Sequence, residues 1–388
     1  LTVTRVDGQD TVTNGNVTAS DPETSGLTLS TVDATGEFGD LLYDNSNNSW
    51  TYFANDGAIK ALAAGETRTD TFVVKADETG DSTNLVITIE GRDDAPTFTA
   101  TALDPTFTEG TDASVLLFDE SAADVVDSNQ RITEVRFTVS GLQDGADEQL
   151  TSVGSTAVNR LLVDELGLSV GHVDELITAS GDTSEGLSYT INLDGNTATA
   201  VYRGLDLTAE QFNTLFDAMA YQNTSQDPTA GDRVFTLTAL TDSGQSGSAD
   251  VVDNANTVVL TLSSTVTVAA VNDAAVISGD TSATANETDA VLQLTGTLTS
   301  TDVDNPDNRF TAETVSGTNG NLGDLAITAS GDWRFTADQA FDALNVGDNR
   351  QDTYTVTSID GTEQTITITI TGTNVAATIS GDTTATAN

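Results

Sequence analysis

Ten residues, Ile277-Ser278-Gly279-Asp280-Thr281-Ser282-Ala283-Thr284-Ala285-Asn286, return 102 positions later as Ile379-Ser380-Gly381-Asp382-Thr383-Thr384-Ala385-Thr386-Ala387-Asn388, with a single Ser-to-Thr exchange. Self-similarity at a domain-sized period implies a tandem array in which each copy buries its own core. A diverged copy precedes it. Trp50-Thr51-Tyr52 answers Trp333-Arg334-Phe335 and Arg68-Thr69-Asp70-Thr71-Phe72 answers Arg350-Gln351-Asp352-Thr353-Tyr354, at offsets of 283 and 282. Both copies close on Thr/Ile alternation into a glycine, Thr88-Ile89-Glu90-Gly91 and Thr369-Ile370-Thr371-Gly372. The expected organisation is an N-terminally truncated unit over 1–94, a longer one over 95–273, a full copy over 274–375 and the start of a further repeat over 376–388.

Within the copies the period is two. Leu85, Ile87 and Ile89 alternate with Val86, Thr88 and Glu90, and Ile366, Ile368 and Ile370 alternate with threonines, the pattern of half-buried strands. Asp194-Gly195-Asn196 and Asp360-Gly361 supply hairpin turns between strand runs. The fold class this predicts is all-β, a row of tandem β-sandwiches. The middle unit lacks the Trp signature and exceeds a seven-strand sandwich, so an insertion is expected near 142–185, with a helix around 161–176. A second short helix is marked by Thr208 and Gln211 as a capping box, followed on one face by Phe212, Leu215, Phe216 and Met219.

Composition narrows the function classes. Acidic residues number 60 against 13 Lys plus Arg, a formal charge of -47, which opposes binding to nucleic acid or anionic membrane. With no cysteine, disulfides and thiolate sites are excluded. His172 is the one histidine, too few for a histidine metal site or a recognisable triad, and no aromatic subsites flag a glycosidase carboxylate pair, so no enzyme is expected. No apolar run reaches the eighteen or so residues of a membrane span, so no direct membrane insertion is expected. No leader pattern opens the chain, and export by a signal elsewhere is expected.

Carboxylates and asparagines gather at the unit boundaries: Asp93 and Asp94, Asn272 and Asp273, and Asn374. Calcium takes six to eight oxygen ligands from such groups, and a boundary draws on two units at once. An early loop adds Asp124 and Asp127 in the second unit and Asp302 and Asp304 in the third. A late turn adds Asp242 and Asp360, and Asp21, Glu23 and Asp77 occupy the same slots in the first unit. Asp302 does not open an EF-hand, since loop position six is Asp307 where that loop needs glycine.

The Ile-Ser-Gly-Asp opening, the Asp302-Val303-Asp304 loop, the Trp333 strand and the Gly372-Thr373-Asn374 close resemble VCBS-type repeats of large RTX adhesins. The middle unit, with Ala220-Tyr221-Gln222-Asn223-Thr224-Ser225, Asp227-Pro228-Thr229-Ala230-Gly231 and the ending Val266-Thr267-Val268-Ala269-Ala270-Val271-Asn272-Asp273, is similar to cadherin-like modules of the same giant proteins. The resemblance implies tandem Ig-like/cadherin-like sandwiches, exported to the bacterial cell surface by a type I route, whose linkers calcium stiffens. It also implies a Glu near the end of the first strand that reaches the domain's own C-terminal linker, which nominates Glu109 for the 272–273 boundary and Glu287 for the one near Asn374. The chain departs from the fuller Asp-x-Asn-Asp-Asn cadherin linker, and Asn374 lacks the following Asp.

The function expected is therefore a monomeric, calcium-stiffened extracellular spacer in biofilm-type adhesion. Its contacts are neighbouring repeats of the same chain, and it projects other domains that bind a cell-surface or host ligand. The alternative is a glycan- or protein-binding adhesion module in the middle unit, formed by the insertion over 142–220.

Overall fold

The computed structural model describes residues 13–31, 34–60, 62, 65–91, 93–125, 130–169, 172–244, 256–304, 306–319, 322–374 and 379–381. They fall into two compact units, 1–269 and 270–388. The expected further repeat over 376–388 lies outside the described residues except for 379–381.

In the second unit the strand Glu363–Thr371 turns Ile366, Ile368 and Ile370 wholly inward. It pairs antiparallel with Asn349–Thr357 across the Asp360-Gly361 turn and parallel with Ser282–Asn286. The opposing sheet runs Val276–Gly279, Gln293–Thr301, Asp332–Ala337, Gly323–Ile327, Glu313–Ser316. The first strand is thus split at Asp280-Thr281, its two halves serving different sheets. The strand at Glu313 agrees with rejecting an EF-hand, which needs a helix there. Leu298, Phe310, Leu325, Trp333, Phe335 and Tyr354 join the isoleucines in the core.

Trp333 is 2% exposed and its indole N–H donates to the Asp280 carbonyl at 3.0 Å. Its partner across the ladder is Gly296, where a Cβ would lie 2.3 Å from the ring, so only glycine leaves room for the indole. Trp50 stands opposite Gly15 in the same way, with a Cβ clash at 2.6 Å. Both tryptophans are core residues, as their repeat positions suggest.

The first unit holds two large cores and a small satellite cluster of Val158, Leu162 and Ala218. One closes between the sheets Thr13–Asn16, Ser49–Ala54, Gly39–Asp44 and Leu29–Thr31, Thr67–Ala76, Ser82–Glu90, around Trp50, Phe72, Ile87 and Ile89. The other lies over 98–268. Its main sheet has seven strands in the order Ala179–Asp182, Ser188–Asp194, Thr197–Leu207, Ile132–Ser140, Gly231–Asp242, Thr257–Ala269, Thr106–Thr108, the last pair parallel. A four-stranded sheet, Val173–Glu175, Glu148–Ser152, Met219–Asn223, Val115–Leu116, covers it. Asp194 pairs with Thr197 across a two-residue turn in which Gly195 takes φ 59°, the conformation that such a hairpin requires.

The helix Ala209–Phe216 carries its capping box: the Gln211 amide N–H donates to Thr208 Oγ1 at 3.2 Å and the Thr208 amide N–H to Gln211 Oε1 at 2.8 Å. Phe212 and Phe216 are buried against Phe98, with ring centroids at 5.7 and 4.8 Å. Met219 is not on this helix; it opens the next strand, because the helix has already ended at Phe216. The helix expected over 161–176 is also displaced. An α-turn at Thr156–Arg160 runs into a π-turn at Leu161–Glu165, closed by the Leu166 amide on the Leu161 carbonyl at 3.1 Å. Gly167, at φ 66°, then ends it, and Val173–Glu175 is a strand.

Each core buries a carboxylate against loop amides. Asp70 accepts from Glu37 N at 2.9 Å, Phe38 N at 3.1 Å and the Tyr52 hydroxyl at 2.6 Å. Asp352, at the matching repeat position, accepts from Asn319 N at 2.7 Å and Leu322 N at 3.3 Å. In the middle domain Glu148 accepts from Gln143 N at 2.6 Å, Asp144 N at 3.0 Å, the Tyr221 hydroxyl at 3.0 Å and Arg233 Nε. Arg233 and Glu148 are both fully buried.

Candidate metal sites at the domain ends

Inside the second unit the early loop and the late turn converge on the segment that enters the sandwich. The bridge between Phe310 and Ser358, together with the Ile359 amide on the Arg309 carbonyl at 2.8 Å, holds loop and turn side by side. The Asp273 amide donates to Asp304 Oδ2, and the Ala275 amide donates to Asp360 Oδ2 at 3.0 Å. Asp302 shapes the loop, accepting from Asp304 N at 2.9 Å while its own amide donates to Asn308 Oδ1 at 2.7 Å. Asn272 Nδ2 donates to the Asp273 carbonyl at 2.8 Å. Asp302, Asp304, Asp360 and the 272–275 segment are therefore brought together.

Asp360 shows the electrostatics of this end. Burial pushes its carboxyl pKa up, but hydrogen bonds from the Ser358 and Thr362 hydroxyls and the Ala275 and Thr362 amides outweigh it and hold the group well below the usual carboxylate range. The hydroxyls were not anticipated. Their signal is the Ser358-x-Asp360-x-Thr362 alternation around a turn, which reads as ordinary turn chemistry in a threonine-rich chain.

At the opposite end Glu287 follows the parallel strand Ser282–Asn286 and is 3% exposed. Its amide donates to the Thr371 carbonyl at 2.9 Å, and its Oε1 accepts from the Thr373 amide at 3.0 Å and hydroxyl at 3.1 Å. The side chain thus reaches its own exit segment, next to the exposed Asn374. Its Oε2 is buried without a hydrogen-bond partner among the described residues. A carboxylate oxygen in that state is costly unless a cation completes it, so the site fits a hard oxygen-seeking ion.

The first unit repeats parts of this plan. Asp93, 8% exposed, accepts from Gln130 Nε2 at 2.7 Å, and a Cβ on Gly244 would lie 1.7 Å from Asp93 Oδ1. Asp242, 2% exposed, accepts from the Gly244 amide at 2.9 Å, so Asp93, Gln130 and Asp242 meet around Gly244. Asp94 is half-buried beside them in the chain. Glu109, also buried, donates its amide to the Ala269 carbonyl at 3.1 Å, the counterpart of Glu287 on Thr371. Gln130 escaped sequence reading, because an amide outside the acidic clusters carries no charge signal.

Other expected positions are not gathered. Asp124 is exposed in the ladder opposite Thr97, and among the described residues no hydrogen bond joins it to Asp93. Asp127 lies outside the described residues. Asp21 accepts from the Glu23 amide at 2.7 Å and Asp77 from the Ser30 hydroxyl at 2.6 Å, and no described hydrogen bond connects the two places. Among the described residues no helix is long and apolar enough to cross a membrane.

A family model described as "Bacterial cadherin-like domain" matches residues 272–372. The match falls on the unit whose residues resemble VCBS-type repeats, and the middle unit, where the cadherin-like resemblance was read, is not covered by it. No curated protein sequence matches the chain. Similar solved structures include human CDH23 EC21-23, at 14% identity over 95% of this chain and 97% of that one, with a TM-score of 0.35. Drosophila N-cadherin EC1-4 is 12% identical over 97% of this chain and 74% of that one, with a TM-score of 0.26. Protocadherin Gamma B2 EC1-5 is 9% identical over 90% of this chain, which spans 53% of its length, with a TM-score of 0.32. Residues 272–372 are thus similar to a bacterial cadherin-like domain.

Proposed function

We propose that the chain is a calcium-stiffened spacer of an extracellular adhesion protein, of the RTX type that a bacterium exports by a type I route and carries on its surface. Cadherin-like domains are extracellular adhesion or spacer modules, which supports the coarse reading. The observation that supports calcium is that one sandwich carries carboxylates at both of its ends, Asp304 and Asp360 on the entering segment and Glu287 on the leaving one.

The ligand set we assign is Asn272, Asp273, Asp302, Asp304 and Asp360 at the entry of the third sandwich. Glu287 and Asn374 serve its exit; Asp93, Asp94 and Asp242 serve the entry of the middle domain and Glu109 its exit. Bound calcium supplies positive charge and directed oxygen coordination. The residues do the rest: they hold the entering and leaving backbone against the sheet ends and concentrate negative charge there. In a chain carrying -47, neutralisation at the ends lowers self-repulsion where the linkers would otherwise splay.

Calcium titrated into the chelated chain, followed by small-angle scattering and thermal unfolding, tests this. The expected result is a larger maximum dimension and a raised Tm, both reduced by Asp302→Ala/Asp304→Ala and by Asp93→Ala/Asp94→Ala. A chain whose scattering and unfolding ignore calcium refutes the spacer mechanism.

A further inference from the structure

The middle domain holds a half-open cavity of about 100 Å³. Its wall is largely hydrocarbon, with Leu150, Leu162, Leu166, Leu187, Phe212 and Met219 among the contributors. Protein interiors leave few voids larger than a water, and unfilled ones destabilise the fold. The π-turn Leu161–Glu165 places Leu162 in this wall, and π-turns are frequent at functional sites.

One side of the cavity is polar. Asp174, 6% exposed, accepts from His172 Nε2 at 3.0 Å and from the Tyr202 hydroxyl. All three line the cavity, and the Asp174–Tyr202 contact ties the four-stranded sheet to the seven-stranded one. Burial first, and the Asp174 carboxylate second, push the Tyr202 phenol well above its ordinary pKa, so it stays a neutral donor. With Nε2 turned to the carboxylate, a neutral His172 carries its proton there, and Nδ1 has no hydrogen-bond partner among the described residues.

The chemistry of the wall selects the ligand. A leucine-lined space somewhat smaller than the roughly 150 Å³ apolar cavity known to accept benzene suits one ring or a short branched chain, not a sugar with many hydroxyls. The polar side offers acceptors, the Asp174 carboxylate and His172 Nδ1, and its negative charge opposes an anionic head group. We propose that this cavity binds a small hydrophobic molecule bearing one hydrogen-bond donor, a hydroxyl or an amine, which Asp174 and His172 receive. The proposal is independent of the spacer reading.

The test uses the whole 388-residue chain, with phenol, benzylamine and benzoate as probes in isothermal titration and saturation-transfer NMR. Saturable one-to-one binding of phenol or benzylamine is expected, the stronger of the two telling a neutral from a cationic head group, with benzoate at least tenfold weaker. Asp174→Asn should weaken the preferred probe at least tenfold, and Leu162→Phe, which fills the cavity, should abolish binding with the far-ultraviolet circular dichroism unchanged. Met219→Phe replaces the latter variant if it does not fold. Failure of both donor probes to bind, equal binding of benzoate, or full binding in the filled variant overturns the proposal.

Discussion

Replacing Gly296 by alanine adds one methyl group where the structure has no space for it. The new Cβ would sit 2.3 Å from Trp333 Cζ2, 2.5 Å from Cε2 and 2.8 Å from Asp280 Cβ. Carbon pairs prefer about 3.5–4.0 Å, so the indole has to retreat by more than about 1 Å. It cannot do so freely, being 2% exposed and anchored through its N–H to Asp280. Overpacking of this kind costs about 1–3 kcal/mol, and alanine recovers about 0.4–1 kcal/mol by restricting the unfolded chain. A net loss of about 1–2 kcal/mol is expected, which for a domain of this size is about 4–16 °C in Tm. Trp333→Phe removes the clashing ring atoms and leaves the 2.8 Å contact with Asp280 Cβ, so Gly296→Ala made on that background should cost less than in the wild type, a coupling of about 1 kcal/mol in a double-mutant cycle. Hydrogen exchange of the Asp332–Ala337 strand in urea reports this sandwich without interference from Trp50. An equal cost in both backgrounds, or none in the wild-type background, refutes the packing argument.

Three further outcomes are expected. Arg233→Met strands the fully buried Glu148 without its cation and should cost about 3–5 kcal/mol in urea unfolding of the middle domain, while Arg233→Met combined with Glu148→Leu costs less than the two separate losses together. Thr208→Ala removes the capping box and should cost about 1 kcal/mol, read by the same unfolding, with Thr208→Ser nearly neutral. Glu287→Gln should abolish calcium-dependent exchange protection of residues 371–374 and leave that of 272–275 intact, and loss of protection at both ends would contradict the assignment of Glu287 to the exit segment.

Much of this was written in the period of the sequence. Ile366, Ile368 and Ile370 alternate with threonines and turn inward, and the Trp50 and Trp333 repeats mark the same core position. Thr208 and Gln211 announce a helix start that the structure carries. What the period does not encode is where a helix yields. Met219 keeps helical spacing yet begins a strand, and the leucines after 160 form a π-turn because Gly167 in the left-handed region ends the segment early. Gly15 and Gly296 are equally silent, since a glycine in a strand does not say which side chain approaches it. The placement of candidate residues was legible where a repeat fixed it, as with Asp304, Asp360 and Glu287. It was not where loop geometry decides, as with Gln130 on Asp93, or with Asp21 and Asp77, which no described hydrogen bond connects.

Burial separates the ligand candidates from the rest of the 60 acidic residues. Asp77 and Asp124 are exposed, where water solvates a charge at no cost to the fold. Asp93, Glu109, Asp242 and Glu287 are each less than a tenth exposed, and burying carboxylates disfavours their charged form unless something opposes it. Lys and Arg are scarce, 13 in the whole chain, and the buried Arg233 is already committed to Glu148 and Asp144. Under the proposed function a divalent cation opposes that cost, and its binding energy adds directly to the stability of whatever holds it. Since these four carboxylates lie beside Gly244, Ala269 and Thr373, close to where the chain enters or leaves a sandwich, that energy is delivered to the sandwich ends and not to the cores. Calcium removal should therefore loosen 93–94, 272–275 and 371–374 before it touches the strands around Trp50, Phe216 or Trp333.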